Sequence, residues 1–301
     1  MLGLGTNNFG WRIGADESRA VLDAALDEGV TLLDTADVYD AGGSERILGD
    51  LLVGRRERVV LLTKFGNARL PGAPDEPRGS HAYAQWALDE SLRRLRTDHV
   101  DIWTLHRPDP ETPLAESVGA LADAIRAGKA RYAAVSNVTV EQLDEAVAAA
   151  AAEAIPLVAV ENRASVVRRD PAVEAACVRH GLSLLPYYPL ESGLLSGRYR
   201  RGENPPPDSR FARKAEIWPA ERWLTDDAFD RVDALRQLAD DSGASLLEVA
   251  IGGLASLPAI DCVIVGATRP EQVRANAAAA RWRPGPDAPI KRSLDTLDSA
   301  S

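Results

Sequence analysis

The stretch Leu32–Asp40, LLDTADVYD, begins as a strand and ends as a loop. On the way it sets down an acid, Asp34, and a phenol, Tyr39. Outward from it in both directions, short apolar runs alternate with amphipathic helical patterns at a regular pace. Strands are expected at residues 2–6 (LGLGT), 31–36 (TLLDTA), 59–64 (VVLLTK), 100–106 (VDIWTLH), 130–136 (ARYAAVS), 157–162 (LVAVEN), 183–189 (SLLPYYP) and 262–267 (CVIVGA). Helical patterns such as ESRAVLDAALDEG, QWALDESLRRLR, LAESVGALADAIRAGK and VEQLDEAVAAAAAE lie between them. Asp16 and Ser44 read as helix starts, Gly29 and Gly128 as helix ends.

Strands that are apolar on both faces and alternate with helices eight times describe an α/β fold, a (β/α)8 TIM barrel, as one domain over residues 1–301. A doubly wound dinucleotide sheet needs GxGxxG between its first strand and first helix. The first turn here, GLGTNNFGW, has the glycines without that spacing. One connection breaks the rhythm, at about residues 190–226, where ENPPPDSR and AEIWPAERW interrupt the pattern. A long Pro-rich segment of this kind suits a loop over the mouth that folds down on a ligand.

Composition narrows the functional classes. The 301 residues carry 35 Lys and Arg against 45 Asp and Glu, which disfavours nucleic acid or an anionic membrane as partner. Cys177 and Cys262 lie far apart with no CxxC, so neither a disulfide scaffold nor a zinc site is expected, and a reducing cytoplasm is the simplest compartment. MLGLGTNNFG has no basic region followed by an apolar one, so no secretory leader is expected. The Ala-rich run 146–154 is interrupted by Glu153 and followed by Pro156, too short and broken to cross a bilayer.

Barrel enzymes work at the C-terminal ends of their strands. There the second strand places Asp34, with Tyr39 in its loop; the third places Lys64 and the fourth His106. Leu32/Asp34, Leu62/Lys64 and Thr104/His106 are i, i+2 pairs, so each group shares the inward face of its strand. Trp103 has the opposite parity and is expected to pack between barrel and helices. Taken singly, the Asp reads as a turn cap, the Lys as a solvated amine and the His as a structural residue. Together they do more. A phenol has a pKa of about 10 and donates poorly at neutral pH. A neighbouring ammonium lowers that value, a carboxylate holds the ammonium, and an imidazole can hydrogen-bond a carbonyl oxygen. This set gives a proton to a carbonyl oxygen, and reduction then needs a hydride source. With four histidines and no HxH at a strand end, no metal is expected.

These residues resemble the aldo-keto reductases, and the resemblance covers nearly the whole chain. It rests on DTADVY, TK, LHRPD, GKARYAAVSNV, LPYYPLESGLLSGRY and VIVGATRPEQVRAN. It implies NADPH (NADP+) as cofactor, with Tyr39 as general acid, Asp34 and Lys64 tuning it and His106 orienting the carbonyl. Ser136 and Asn137, with Glu161 beside them, would hold the nicotinamide carboxamide, and Tyr187 would stack on its ring. Leu190, Ser192 and Leu194 would line the pyrophosphate path. Gly266, Arg269, Gln272 and Asn276 belong to the last cofactor segment, Arg269 pairing with the 2′-phosphate. TRPE also reads as a capping box, Thr268 with Glu271.

Departures from the family pattern are specific. Relatives often have Gln where this chain has Glu161; a carboxylate accepts from the carboxamide NH2 but cannot donate to its oxygen. NRASVV lacks the usual aromatic. The N-terminal hairpin that closes the barrel floor in relatives is either missing or lies upstream of Met1. The tail after Trp282 is short, leaving fewer residues to cover the mouth. Phe9, Trp11, Trp218 and Trp223 fall on mouth loops, as walls of an apolar pocket or as packing.

The leading expectation is an NADPH-dependent carbonyl reductase, or an alcohol dehydrogenase run in reverse. It acts on a small-molecule carbonyl, with no nucleic-acid or membrane partner, as a monomer or weak homo-oligomer. A nicotinamide-binding regulatory subunit, like the channel-associated members of the family, is the second reading. A barrel lyase using Lys64 as a Schiff-base amine is the third.

Overall fold

A computed structural model describes residues 1–290 apart from 214, 217, 286 and 287. Most of the tail after Trp282 therefore lies outside the described residues. Eight parallel strands run in sequence: β1 (Leu2–Gly5), β2 (Leu32–Asp34), β3 (Val60–Phe65), β4 (Val100–Leu105), β5 (Ala130–Ser136), β6 (Leu157–Glu161), β7 (Ser183–Leu184) and β8 (Val263–Gly266). Each pairs with the next through β7, and β1 also pairs with β8. The seventh strand is far shorter than the expected 183–189, because Pro186 and Pro189 cannot donate to a ladder. Two backbone bonds span the remaining gap, Leu184 N to Ala259 O at 2.7 Å and Ile264 N to Pro186 O at 3.0 Å. They link the two ends of the sheet and make it the expected (β/α)8 barrel.

The helices are α1 (Ala15–Asp27), α2 (Gly43–Leu51), α3 (His81–Leu95), α4 (Leu114–Arg126), α5 (Val140–Ala152), α6 (Pro171–His180), α7 (Arg210–Arg213), α8 (Asp226–Asp241), α9 (Leu246–Glu248) and α10 (Pro270–Arg281). Gly29 and Gly128, left-handed at φ 75° and 72°, follow the ends of α1 and α4 as expected. The starts differ. Gly14 caps α1, its N–H bonded to Glu17, and Asp16 lies inside the first turn. Ser44 likewise sits inside α2, buried, bonding Thr6 Oγ1 at 2.9 Å and Thr35 Oγ1 at 3.0 Å. That contact ties the loop after β2 to the end of β1.

Strand alternation divides the apolar residues into two cores. Leu62, Ile102, Ala134, Ala159, Leu185, Cys262 and Ile264 form a plug inside the barrel. The intervening residues, among them Leu61, Phe65, Trp103, Leu105, Val135 and Val160, meet the helices. Trp103 stacks on Phe65 with centroids 4.9 Å apart, between barrel and helices as its parity requires; truncation there would cost about 3–5 kcal/mol. Gly3 holds an inward position on β1, where a Cβ would lie 2.8 Å from both Ile264 Cδ1 and Leu32 Cδ2. The first strand thus yields the interior to its neighbours. One step beyond the plug toward the strand ends, inward side chains turn polar: Asp34, Lys64, Thr104, Ser136 and Glu161 are all buried. Among the described residues no helix is long and apolar enough to cross a membrane.

Candidate active site

The loop after β2 is laid along β3 by its backbone. Thr35 N bonds Leu62 O at 2.9 Å, Asp37 N bonds Lys64 O at 3.1 Å, and Tyr39 N closes a turn on Ala36 O. Asp40 and Ala41 follow at φ 51° and 49°, a left-handed pair that turns the chain into α2. The phenol is thereby brought over the end of β3. Lys64 Nζ donates to Asp34 Oδ1, to Thr35 O at 2.9 Å and to Tyr39 Oη at 3.4 Å, and lies 3.4 Å from Glu161 Oε2. The His106 ring meets Tyr39 edge-on, centroids 6.1 Å apart. Acid, amine, phenol and imidazole therefore share one mouth.

Burial sets the charges of this group. It pushes the Lys64 ammonium down, but Asp34 and Glu161 outweigh it, and the pKa ends above the ordinary lysine value. An ammonium held charged in this way has no lone pair for a Schiff base. Burial raises Asp34 while Lys64 opposes it; bonded directly to the ammonium, Asp34 is its counter-ion. Sequence reasoning expected Lys64 to lower the phenol of Tyr39. Lys64 does pull it down, but burial is the larger effect, the two carboxylates add to it, and the phenol lies above its ordinary value. Tyr39 thus keeps its proton until an acceptor arrives. Burial, with Lys64 and Arg107, drops His106 well below the usual imidazole range, so it is neutral. Its Nδ1 has no hydrogen-bond partner.

The carboxyl of Glu161 is buried in the same layer, 3.4 Å from Lys64 Nζ. Burial, then Asp34, push its pKa up to about 8 against the pull of Lys64. The shift favours the carboxylic acid form, whose O–H can donate.

The next ring of residues is held by its own bonds. Ser136 Oγ donates to Glu161 O at 2.6 Å. Asn137, left-handed at φ 58°, donates from Nδ2 to His106 O at 2.8 Å and accepts from Tyr187 Oη at 2.6 Å. Tyr188, Glu191 and Ser192 are also left-handed, at φ 57°, 44° and 59°. Strained backbone thus gathers at the mouth, where functional sites hold it.

An open cavity of about 580 Å³ runs from the tetrad outward, within the usual range for ligand sites. Asp34, Tyr39, His106, Asn137, Glu161, Tyr187, Leu190, Ser192, Gly266, Gln272 and Asn276 line it. Lys64 and Ser136 lie beneath, reaching it through Tyr39 and Asn137. Leu194 is buried in the core and Arg269 is exposed, and neither is among the lining residues. The expected capping box is replaced. Pro270 occupies the first helical position, so Arg269 becomes the N-cap of α10, and Gln272 Oε1 reaches back to Thr268 N at 2.8 Å. Of the four mouth aromatics only Trp218 lines the cavity; Phe9 is fully buried in the core and Trp223 packs on Arg163.

The segment 190–226 spans this mouth. It is made of short turns at Glu191–Ser196 and Ala220–Arg222 with α7 between them. Arg12 Nη2 binds Asp208 O at 2.8 Å, fastening the segment to the β1 loop, and Arg198 binds the Asp208 carboxylate within the segment. Sequence reasoning missed the resulting cationic wall of Arg12, Arg198 and Arg210. Burial, then Arg210, Arg198 and Arg213, lower the Arg12 pKa to about 10. Arg210 is 8% exposed, stacks over Trp218 and Tyr188, and leaves Nη1 without a partner. An orphaned buried guanidinium donor on this cavity fits the phosphates of a dinucleotide.

The Aldo/keto reductase family model matches residues 1–292. The chain belongs to the aldo/keto reductase family. It is 35% identical over 280 residues to a probable voltage-gated potassium channel subunit beta of Arabidopsis thaliana, covering 90% of this chain and 84% of that protein. The corresponding protein of Oryza sativa subsp. japonica is 36% identical over 279 residues, with the same coverage. L-glyceraldehyde 3-phosphate reductase of Escherichia coli K12 is 31% identical over 286 residues, 91% of this chain and 81% of that enzyme. Membership supports an oxidoreductase acting on small carbonyl compounds.

Proposed function

We propose that this aldo/keto reductase reduces an aldehyde or ketone with NADPH, reversibly, using Tyr39 as general acid. The observation that carries the reading is Lys64, fully buried, bonded at once to Asp34 and to the Tyr39 hydroxyl beside a neutral His106. Tyr39 releases its proton to the carbonyl oxygen as negative charge develops there, and the ammonium 3.4 Å away stabilises the phenolate left behind. Asp34 keeps the ammonium in place. His106, uncharged, orients the carbonyl through a hydrogen bond. A bound nicotinamide dinucleotide supplies the hydride. Asn137, Tyr187 and Glu161 would hold its nicotinamide end, and Arg198 and Arg210 its phosphates.

A second reading, a cofactor-binding regulatory subunit, draws on the likeness to the plant proteins named as channel β subunits. Purified protein offered a panel of aldehydes and ketones, phosphorylated and not, separates the two by loss of NADPH absorbance. Turnover on any member supports the reductase. Tight NADPH binding with no turnover across the panel supports the subunit.

A further inference from the structure

Glu161 ends β6 and brings a second carboxyl group to a lysine already engaged. An ammonium has three N–H donors, and those of Lys64 go to Asp34, Thr35 O and Tyr39 Oη. Glu161 Oε2 makes an ion-pair contact with Nζ at 3.4 Å and has no hydrogen-bond partner. Its neighbours offer no substitute. On β5, Ser136 Oγ and Asn137 N both donate to the Glu161 backbone carbonyl, not to its carboxyl. Arg163, two residues on, is committed to Glu191. Tyr187, after β7, donates to Asn137. Asp34 on β2 faces it as a like charge, Tyr39 and His106 are neutral, and Lys64 is the cation already in contact with it, without a hydrogen bond.

We propose that Glu161 is a positioning acid that closes the reaction on the alkaline side: neutral, it leaves Lys64 on the phenol and offers its own O–H to the cavity; ionised, it takes the ammonium from Tyr39. The exchange follows from geometry. The bond to Tyr39 at 3.4 Å is longer than those to Asp34 and Thr35 O, so it is the first to be given up when Glu161 releases its proton to solvent. The phenolate that forms during proton transfer then lacks its counter-charge. Burial and the charge of Asp34 put this ionisation at about pH 8, inside the working range of an enzyme. A glutamine here would donate the same hydrogen bond and never ionise.

The inference rests on the Tyr39–Lys64 reading above, and two measurements keep them apart. The first is the pH profile of kcat/KM for carbonyl reduction, each protein normalised to its own plateau. The parent should lose rate along a limb near pH 8, and Glu161→Gln should carry that limb upward by about one unit or more. The second needs no turnover. Carbon-13 labelling of glutamate carboxyls should show a resonance, absent from Glu161→Gln, that titrates near pH 8. Coincident alkaline limbs in the two proteins, or a Glu161 carboxyl titrating at the ordinary value of about 4.3, would overturn the proposal. Absence of carbonyl turnover at every pH would overturn the reductase reading itself and the positioning role with it.

Discussion

Removing the ammonium at the centre of the site has a consequence that can be sized. Lys64 is fully buried and Asp34 is 3% exposed. Lys64→Met keeps most of the apolar stem and deletes the charge, leaving Asp34 and Glu161 together in one dry layer. Breaking a buried ion pair from one side costs about 3–5 kcal/mol, a large share of the roughly 5–15 kcal/mol that holds a domain folded. Protonation offers a partial escape. With Lys64 gone nothing opposes burial, so the folded-state pKa of Asp34 rises further above its unfolded value. An acid raised in this way contributes its full stability below the unfolded pKa and loses it as pH climbs through the folded one. The gap between parent and variant should therefore be small near about pH 4–5 and widen by up to about 1.4 kcal/mol per unit toward neutrality. Urea unfolding at acidic and neutral pH measures it. Asp34→Asn/Lys64→Met, which removes both charges, should regain most of the loss at neutral pH. A gap below about 1 kcal/mol, or one equal at both pH values, would refute the pairing on which the site is built.

The cationic wall and the last cofactor segment predict different selectivities. Arg210→Ala should weaken NADPH and NADH alike by about tenfold to a hundredfold, whereas Arg269→Ala should weaken NADPH alone by a similar factor. Fluorescence titration with both cofactors distinguishes them, and equal affinities in the parent would remove the role assigned to Arg269. The segment 190–226, fastened through Arg12 and Asp208, should exchange its amide hydrogens more slowly once NADPH is added. Unchanged exchange would make it a static insertion.

Strand parity was legible because its period is two and each inward strand-end group follows an apolar plug residue, as Leu62 precedes Lys64. Asp34, Tyr39, Lys64 and His106 met at one mouth for that reason. Ends of elements were harder. The prolines at 186 and 189 cut β7 to two residues, and Pro270 moved the cap of α10 by one position. Depth was not readable at all. Whether Lys64 or burial governs the Tyr39 phenol, and whether Glu161 keeps its proton, depends on how dry the layer is and on Asp34 facing Glu161 across it. The arginine wall escaped for another reason: Arg12 and Arg210 are far apart in the sequence, and no local pattern joins them. Phe9 and Trp218 were indistinguishable as mouth aromatics until folding put one in the core and the other on the cavity.

In the proposed reaction the Tyr39 hydroxyl delivers the proton. Tyr39→Phe deletes that oxygen and keeps the ring against His106 and over Lys64, so fold and NADPH affinity should survive, as circular dichroism and fluorescence titration can verify. Steady-state reduction of the best carbonyl from the panel is the deciding measurement. The value of kcat should fall by about 10²–10⁴-fold, the usual contribution of a positioned general acid. Parent-like kcat in a folded, cofactor-binding Tyr39→Phe protein would contradict that role.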